Sequence, residues 1–536
     1  MVSEESAPEP TKREYPQLTH RQILQVLSGL LLAMFVSNVA GTVVANALPT
    51  ISATLGSNQQ QYTWIVTATL LASTASTPIW GKLADLFNKK TLLLVGLAIF
   101  ILGSGLSGAS HAIGGQAHAT SFLIAFRAVQ GIGLGAMMSL TQAIIGSIIP
   151  PIQRGRYMAY TGATIATATV VGPLVGGFIV DTPWLGWEWC FWSAVPFALL
   201  AGGVLQFRLK VPFRKRPNAT VDWLGGALVT VAVSALLIWI SFADHEFPYL
   251  SWQTAALLAT TAVATGLFIL VEHKAKNPII PLALISMRTT ALAIVASIAV
   301  GIGMFGASVF LGQYYQIARG YSPTQAGLMM LPMMIGMLLS SVFIGRLVSK
   351  LGIWKPFVLA GAIILVVGFG LMATVRAGTN LVLIGTYATV AGLGIGMTMQ
   401  NLVLAVQNSV SVRDVGAASG AVTFFRSLGG AIGIQVLGVV FSRQVGEHIH
   451  QRLSAIPNLP AGVMTSSGQD ASGMSLDLSA LPAPAEAAVR GAYGDSIGLL
   501  FLIAAGVSLV STVAVAFMTS TRLRDSFDTG ASVDAK

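Results

Sequence analysis

Long apolar stretches, separated by short polar ones, run along almost the whole chain. Each is close to the roughly 20 apolar residues that a helix needs to cross a bilayer. Fourteen segments qualify, numbered here 1 to 14 in chain order: 24–47, 62–80, 91–110, 121–147, 157–180, 189–208, 223–243, 252–271, 290–317, 326–347, 356–375, 381–406, 415–441 and 496–518. The pattern predicts an all-α polytopic membrane protein with fourteen transmembrane helices.

The composition excludes the other broad classes of protein. Of the 536 residues, 54% are hydrophobic and only 9% are charged, whereas a soluble domain carries about 25% charged residues. Cys190 is the only cysteine, so a disulfide scaffold is excluded. The net charge of +10 is spread in short clusters between apolar segments. We therefore expect contact with membrane lipid and no nucleic-acid partner.

The positions of Lys and Arg predict the orientation in the membrane. With the N-terminus in the cytoplasm, the inner connections hold most of the basic residues, and the short outer connections hold only Arg319 and Arg376. The inner set comprises Lys82, Lys89, Lys90, Arg154, Arg156, Arg208, Lys210, Arg214, Lys215, Arg216, Lys274, Lys276, Arg288, Arg346, Lys350, Lys355 and Arg413. The sequence thus predicts a multi-pass protein of the cytoplasmic membrane with both termini inside.

The chain repeats itself at an offset near 260 residues. "GKLADLFNKK" begins at Gly81 and "GRLVSKLGIWK" at Gly345, while "GIGLGAMM" begins at Gly131 and "GLGIGMTM" at Gly392. Segments 1–6 therefore match segments 9–14, with segments 7 and 8 inserted. Because six is an even number, both halves share one orientation, as in transporters built from two rocking bundles.

The repeat predicts five regions. They are a cytoplasmic tail at 1–22, a six-helix bundle at 23–208, a basic loop with two inserted helices at 209–288, a second six-helix bundle at 289–518, and a cytoplasmic tail at 519–536. The second bundle includes an external connection at 442–495 that is rich in Ala, Ser, Pro and Gly. That composition favours a flexible linker, and a small lid over the outer mouth is the alternative.

Three motifs carry most of the chemistry. In the connection after segment 2, Gly81 permits a tight turn, and Asp85 is suited to cap a helix N-terminus or to pair with a cation. Lys89 and Lys90 follow; a solvated loop whose lysines set the topology is the alternative for all four residues.

Arg127 begins the second motif, "FRAVQGIGLGAMM", inside segment 4. A buried arginine is costly in a membrane and normally faces a partner or a cavity. Gln130 lies one turn away, and a snorkelling or structural arginine is the alternative. Arg426 lies near the centre of segment 13.

Segment 5 carries the third motif. Pro173 removes one helical hydrogen bond and bends the helix, and glycines around it allow close packing. The set is Gly162, Gly172, Pro173, Gly176 and Gly177. Ordinary glycine packing is the alternative reading.

Together, and in this order, these motifs resemble the major facilitator superfamily, specifically its fourteen-helix drug:proton antiporters. The resemblance covers the chain from segment 1 to segment 14. It implies two six-helix bundles around a midplane site, a gating role for the Asp85 connection, a role of Arg127 in proton coupling, and an antiporter signature in segment 5. Asn88 stands where the family pattern has a glycine.

Segment 1 departs from the family, which usually has an aspartate there. Alignment on Ala-Leu-Pro at 47–49 places Ala40 at that position, and no acidic residue lies at the centre of any segment. Coupling could instead use a carboxylate near a helix end, or an arginine with a distant partner, or a different gradient. The candidates are Asp181, Glu188, Asp222, Glu272, Arg127 and Arg426. Two arginines without a central carboxylate favour neutral or anionic cargo over lipophilic cations.

Polar residues inside apolar segments are the candidates for a substrate cavity, although helix packing is an equal alternative for any single one. They are Asn38, Thr42, Asn46, Gln142, Gln313, Tyr314, Gln400 and Asn401. We predict a monomeric exporter of hydrophobic small molecules, exchanging them for protons by alternating access, with no metal, organic cofactor or enzymatic activity. An exporter of one endogenous lipid or secondary metabolite, and a sensor that moves nothing, remain alternatives.

Overall fold

The computed structural model describes residues 20–57, 59–182, 184–209, 220–243, 246–411, 414–456 and 482–524. Fourteen helices within these ranges match the fourteen segments, so the predicted fold class is confirmed. They are α1 His20–Leu55, α2 Gln59–Leu86, α3 Lys89–Gly108, α4 Ser110–Ile148, α5 Pro151–Val180, α6 Trp189–Trp192 with Ala194–Arg208, α7 Trp223–Phe242, α8 Trp252–Lys274, α9 Arg288–Gln313 with the π-helical turn Tyr314–Ala318, α10 Pro323–Met329 with Leu331–Leu351, α11 Lys355–Met372, α12 Leu381–Ser409, α13 Val415–Ser454 and α14 Ala483–Phe517.

Thirteen of these helices are long and apolar enough to cross a membrane by length and composition. The exception is α2, which carries five threonines and two serines. It nevertheless packs closely against α4 in its own half and against α13 in the other half. A more polar helix is thus accommodated between other helices rather than against lipid.

The internal repeat appears in the packing of two glycine-rich helices. In both α4 and α12 the first and third glycines lie against one neighbouring helix, and the middle glycine lies against another. They are Gly131, Gly133 and Gly135, facing α2, α3 and α2, and Gly392, Gly394 and Gly396, facing α10, α11 and α10. Because α10 and α11 are the repeat partners of α2 and α3, the duplication predicted from sequence is confirmed.

The two halves, α1–α6 and α9–α14, meet through repeat-related pairs of helices. Helix α2 packs on α13 and α5 packs on α10, while α4 contacts α13 and α5 contacts α12. Of the inserted helices, α7 lies against α2 and α13, and α8 packs mainly on α7. The inserted pair therefore flanks one of the two seams between the halves and is remote from the other.

The predicted external connection at 442–495 is wrong in its extent. Helix α13 continues to Ser454 and α14 begins at Ala483. Apolar side chains spaced four residues apart, Phe441, Val445, Ile449 and Leu453, are buried along the extension of α13. This spacing forms one helical face, which packs where the composition indicated a linker. Residues 457–481 of the predicted connection lie outside the described part of the chain.

Candidate functional site

The halves are in backbone contact at the end of the bundle that carries the α2–α3, α4–α5 and α10–α11 connections. We call this the basic end; the sequence predicts that it faces the cytoplasm. At the seam between α2 and α13, a Cβ added to Gly81 would lie 2.9 Å from the Gly416 carbonyl oxygen. A Cβ on Gly416 would lie 2.6 Å from the Gly81 carbonyl oxygen. Only glycine allows this approach, and the basic end is closed there.

Asp85 seals this first seam. Its Oδ1 accepts a hydrogen bond from the Gly416 amide at 2.9 Å, and its Oδ2 accepts one from the Ala417 amide at 2.7 Å. These amides belong to the first turn of α13, where the helix dipole favours an anion. Asp85 from one half thus caps a helix of the other half, as a gating latch would.

The two lysines that follow Asp85 lie in the first turn of α3. Lys89, in the first turn of α3, interacts electrostatically with Asp85. The Lys90 ammonium donates to the Gln206 carbonyl at 2.5 Å, which ties α3 to α6. Asn88, where the family pattern has glycine, caps α3 by accepting from the Lys90 amide at 2.9 Å.

The second seam, between α5 and α10, repeats this construction with different chemistry. A Cβ on Gly155 would lie 2.8 Å from the Gly345 carbonyl oxygen. Ser349, four residues after Gly345 as Asp85 is after Gly81, accepts a hydrogen bond from the Arg156 amide at 2.8 Å. The carboxylate of the first seam is therefore a hydroxyl in the second.

Amide side chains also join the two halves, next to the seams and further from the basic end. Gln142 of α4 donates to the Gln400 side chain of α12 at 3.0 Å. Gln407 donates to the Gln142 carbonyl at 3.2 Å and to the Ser419 hydroxyl at 2.8 Å. Two of the predicted cavity residues, Gln142 and Gln400, are thus brought together between the halves.

Arg154 is a seam residue that the sequence did not single out. Its place in an inner connection predicts a cation that sets the topology, yet its side chain is buried. It donates to the carbonyl oxygens of Gly146 and Ile149 (the latter at 2.7 Å), and to that of Gln407 in the other half at 3.4 Å. Carbonyl partners leave no signal in a sequence, so only the fold reveals this role.

The segment that follows α14 also crosses between the halves at the basic end, a contact that no sequence pattern predicts. The Ile152 amide at the start of α5 donates to the Arg524 carbonyl at 3.1 Å. On the other half, the Leu523 amide donates to the Gly352 carbonyl at 2.9 Å. Asn408 accepts from the Arg524 amide at 3.1 Å. Residues 521–524 therefore bind both halves in the closed arrangement.

Arg127 lies inside the N-terminal half, with neutral partners. It donates to the Ile65 carbonyl at 3.1 Å and to the Gln130 side chain at 2.6 Å, and Gln130 donates to Ser104 at 2.7 Å. The guanidinium also lies over the Phe191 ring, 5.7 Å from its centroid. The predicted proximity of Gln130 is observed, and none of the hydrogen-bond acceptors of Arg127 in the described chain is a carboxylate.

Arg426 is buried as well, and it donates to the Met399 carbonyl at 3.3 Å. Ala40, which replaces the aspartate of the family, is buried among apolar side chains. The two arginines are thus bound by dipoles rather than by opposite charges.

The glycines of the antiporter motif pack α5 against three helices. A Cβ on Gly176 would collide with the Val43 carbonyl of α1, and one on Gly172 would collide with Thr42. A Cβ on Gly162 would lie 2.8 Å from the Ser341 hydroxyl of α10 and 3.3 Å from the Gln400 side chain of α12. Pro173 lies inside α5 near Gly327 of α10, and the Gly177 carbonyl accepts from the Asp181 amide at 2.8 Å. The motif therefore lies where α5 contacts both halves.

The four candidate coupling carboxylates differ in burial. Asp181 is exposed and Glu188 half-buried, both between α5 and α6. Asp222 is the N-cap of α7, with Oδ1 accepting from the Gly225 amide at 2.9 Å. Glu272, at the end of α8, is only 4% exposed, and it alone among the carboxylates of the described chain is buried.

Glu272 and Asp222 line one small space at the basic end. A Cβ on Gly225 would lie 2.5 Å from Asp222 Oδ2 and 3.2 Å from Glu272 Oε1. Glu272 Oε1 accepts from the amides of Ile279 and Ile280 at 2.9 and 3.3 Å. The second oxygen of each carboxylate is buried without a hydrogen-bond partner. Lys82 of α2 interacts electrostatically with both Glu272 and Asp85.

The remaining cavity candidates do not gather at one place. Asn38 and Thr42 lie on α1, where Asn38 donates to the Met34 carbonyl at 2.7 Å and Thr42 to the Asn38 carbonyl at 3.1 Å. Asn401 donates to the Met397 carbonyl of its own helix at 2.8 Å. Gln313 is half-buried at the end of α9, and the Tyr314 hydroxyl donates to the Arg376 carbonyl at 3.0 Å. The Asn46 side chain lies outside the described part of the structure.

Comparison with known proteins agrees with this architecture. The family model of the Major Facilitator Superfamily matches residues 30–434. The multidrug transporter protein MdtP of Bacillus subtilis (strain 168) is 36% identical over 437 residues, covering 81% of this chain and 79% of that protein. The efflux pump dotC of Dothistroma septosporum is 31% identical over 506 residues, covering 92% and 84%.

Among solved structures, the proton:xylose symporter XylE shares the fold with a TM-score of 0.62 at 14% identity, covering 94% of this chain and 98% of that one. The resemblance deduced from the motifs is thereby confirmed. The chain belongs to the Major Facilitator Superfamily, as a membrane efflux transporter and not an enzyme.

Proposed function

We propose that the protein exports hydrophobic small molecules in exchange for protons by alternating access. The observation that carries this proposal is the Asp85 latch, because a carboxylate of one half caps α13 of the other half only while the basic end is closed. Release of the two hydrogen bonds would free the halves to rock about the midplane. The relatives named as a multidrug transporter and an efflux pump support the direction and the class of cargo.

Glu272 is the proton acceptor in this proposal. It is the buried carboxylate of the described chain, and one of its oxygens has no partner. A buried carboxylate beside a second one is stabilised by binding a proton. Lys82 links Glu272 electrostatically to Asp85, so a change in the charge of Glu272 is felt at the latch. In this proposal the inserted helices supply the proton acceptor that the family resemblance would place in segment 1, where this chain has Ala40.

The cargo is neutral or anionic in this proposal. Arg127 and Arg426 are buried and have carbonyl or amide partners. A lipophilic cation that reached the centre of the bundle would meet no buried carboxylate among the described residues, because the buried one, Glu272, lies at the basic end. A protein that transported ethidium, and no neutral or anionic compound, would contradict this part of the proposal.

Flux in reconstituted vesicles tests the coupling. An imposed proton gradient is expected to drive drug accumulation by the wild type. Glu272→Gln is expected to abolish this gradient-driven accumulation and to leave transport of the drug down its own concentration gradient unchanged. Glu486→Gln is the matched control, because it removes a half-buried carboxylate in α14 that pairs with Arg490. If gradient-driven flux survives in Glu272→Gln and is lost in Asp181→Asn or Glu188→Gln, the proton binds instead between α5 and α6, at the end of the bundle opposite the basic end.

A further inference from the structure

A basic cavity lies across the second seam. Its volume is about 510 Å³, and it opens between the first turns of α5 and the end of α10. Its polar lining is Gln153, Arg156 and Tyr157 from one half and Arg346, Ser349 and Lys350 from the other. His20, at the start of α1, holds the Tyr157 hydroxyl at 2.6 Å.

Three cations in this cavity have no neutralising partner among the described residues. The lining contains Arg156, Arg346 and Lys350 and no carboxylate. The side-chain ion pairs found among the described residues, Arg452–Asp495 and Arg490–Glu486, lie in α13 and α14. The three side chains are exposed, so solvent screens part of their mutual repulsion. An anion that enters the cavity is attracted by all three.

The internal repeat shows where the missing anion belongs. At the first seam Asp85 supplies a carboxylate, and at the equivalent place in the second seam stands Ser349. Arg346 occupies the position of Lys82, one residue after the seam glycine in each half. The second seam therefore has a cation, Arg346, where the first has Lys82, but a hydroxyl, Ser349, where the first has the carboxylate of Asp85.

The position of the cavity identifies the anion. It lies at the helix ends of the basic end, at the level where a bilayer presents its headgroups, and basic pockets between transmembrane helices bind anionic lipid headgroups. Arginine matches the geometry of phosphate oxygens. We propose that this cavity binds the phosphate of an anionic phospholipid in the leaflet at the basic end, bridging Arg156 to Arg346 and Lys350.

This site exists only while α5 and α10 are in contact at Gly155 and Gly345, because its cations come from both halves. A lipid that binds the closed arrangement more tightly than the open one shifts the population toward the closed basic end. The proposal requires no proton exchange, so it and the proposed function can fail separately.

Lipid binding is measured with the purified, delipidated full chain. Short-chain phosphatidylglycerol is expected to raise the unfolding temperature of the wild type, and phosphatidylcholine is not. The variant Arg156→Gln/Arg346→Gln is expected to lose this shift, and Lys350→Gln to reduce it. Arg208→Gln, a matched loss of charge at the end of α6, is expected to keep it.

A second readout follows the closed state itself. With Cys190→Ser as background, Ser139→Cys places a thiol beneath the first seam, where Ser139 is buried beside Gly81. Phosphatidylglycerol is expected to slow its labelling by a maleimide, and the double variant to remove that effect.

Three results would overturn the assignment. The first is an equal shift with phosphatidylglycerol in the wild type and in the double variant. The second is a full shift with inorganic phosphate alone, which would assign the cavity to a soluble anion. The third is a response only after Glu4, Glu5, Glu9 and Glu14 are replaced by Gln, which would make the acidic N-terminal segment the occupant.

Discussion

The two seams at the basic end share a backbone and differ in the group that seals them. In both, glycines bring two helices into contact, and a side chain four residues after a glycine accepts a hydrogen bond from the opposite helix. The first seam uses Asp85 and two amides, and the second uses Ser349 and one amide. Duplication has thus preserved the geometry of closure, while the charge has been retained on one side only.

Because of this difference, the two seams contribute unequally to the stability of the closed state. Hydrogen bonds to a charged group contribute about 1.5–3 kcal/mol, against about 1 kcal/mol for neutral ones. The first seam therefore carries most of the side-chain contribution to closure, and it is the one flanked by the inserted helices with Glu272. The second depends more on backbone packing and on whatever anion its cations attract.

Asp85→Ala is expected to have the largest effect, because it removes both charge-assisted bonds and the cap of α13. We expect a loss of about 3 kcal/mol from the closed state. At about 1.4 kcal/mol per tenfold change, labelling of Ser139→Cys from the basic end should rise by roughly 100-fold. Gradient-driven export should fall with it.

Asp85→Asn provides the control for this prediction, because it keeps one acceptor oxygen and removes the charge. Labelling intermediate between wild type and Asp85→Ala is expected. If Asp85→Ala labels at the wild-type rate, the latch does not hold the basic end closed, and the comparison of the seams loses its basis.

Gly345→Ala is expected to come next, since the second seam relies on close approach. The new methyl group would collide with the Gly155 carbonyl, and forcing an extra methyl into a packed contact costs about 1–3 kcal/mol. Faster labelling of Ser139→Cys and a lower unfolding temperature are expected. Gly370→Ala in α11 has open space around it and should leave both unchanged; equal effects of the two substitutions would show that backbone contact at the seam is unimportant.

The sequence predicted the helices and the duplication because apolar length and motif spacing are local signals. The prediction that Asp85 caps a helix N-terminus came from its motif, and the structure shows the Gly416 and Ala417 amides as its partners. Its gating role stays a prediction. Helix α13 shows a partial failure. The four-residue spacing of its buried face was present up to Leu453, but the composition of the whole 442–495 stretch outweighed it.

The contacts that could not be predicted from the sequence are those made to backbone groups. Arg154 binds carbonyl oxygens, and residues 521–524 bind the ends of helices far away in the chain. Every residue carries a backbone carbonyl, so the sequence does not show which carbonyl a distant side chain or amide will hydrogen-bond to. The buried state of Glu272 likewise arises from the packing of the inserted pair, whereas the sequence shows only that the residue lies near a helix end.

Ser349→Asp is expected to change the stability of the closed state least. It is also the most direct test of the comparison, because it makes the second seam resemble the first. The new carboxylate would accept from the Arg156 amide in place of the hydroxyl and would stand among three cations, a gain of about 1 kcal/mol for the closed state. Unfolding temperature without lipid should rise, and the further rise on adding phosphatidylglycerol should shrink, because the protein now supplies its own anion. Ser349→Ala removes the hydroxyl and adds no charge, so it should weaken closure slightly and keep the response to lipid. If Ser349→Asp and Ser349→Ala respond equally to phosphatidylglycerol, the charge at this position does not govern the seam, and the two seams differ in sequence without differing in mechanism.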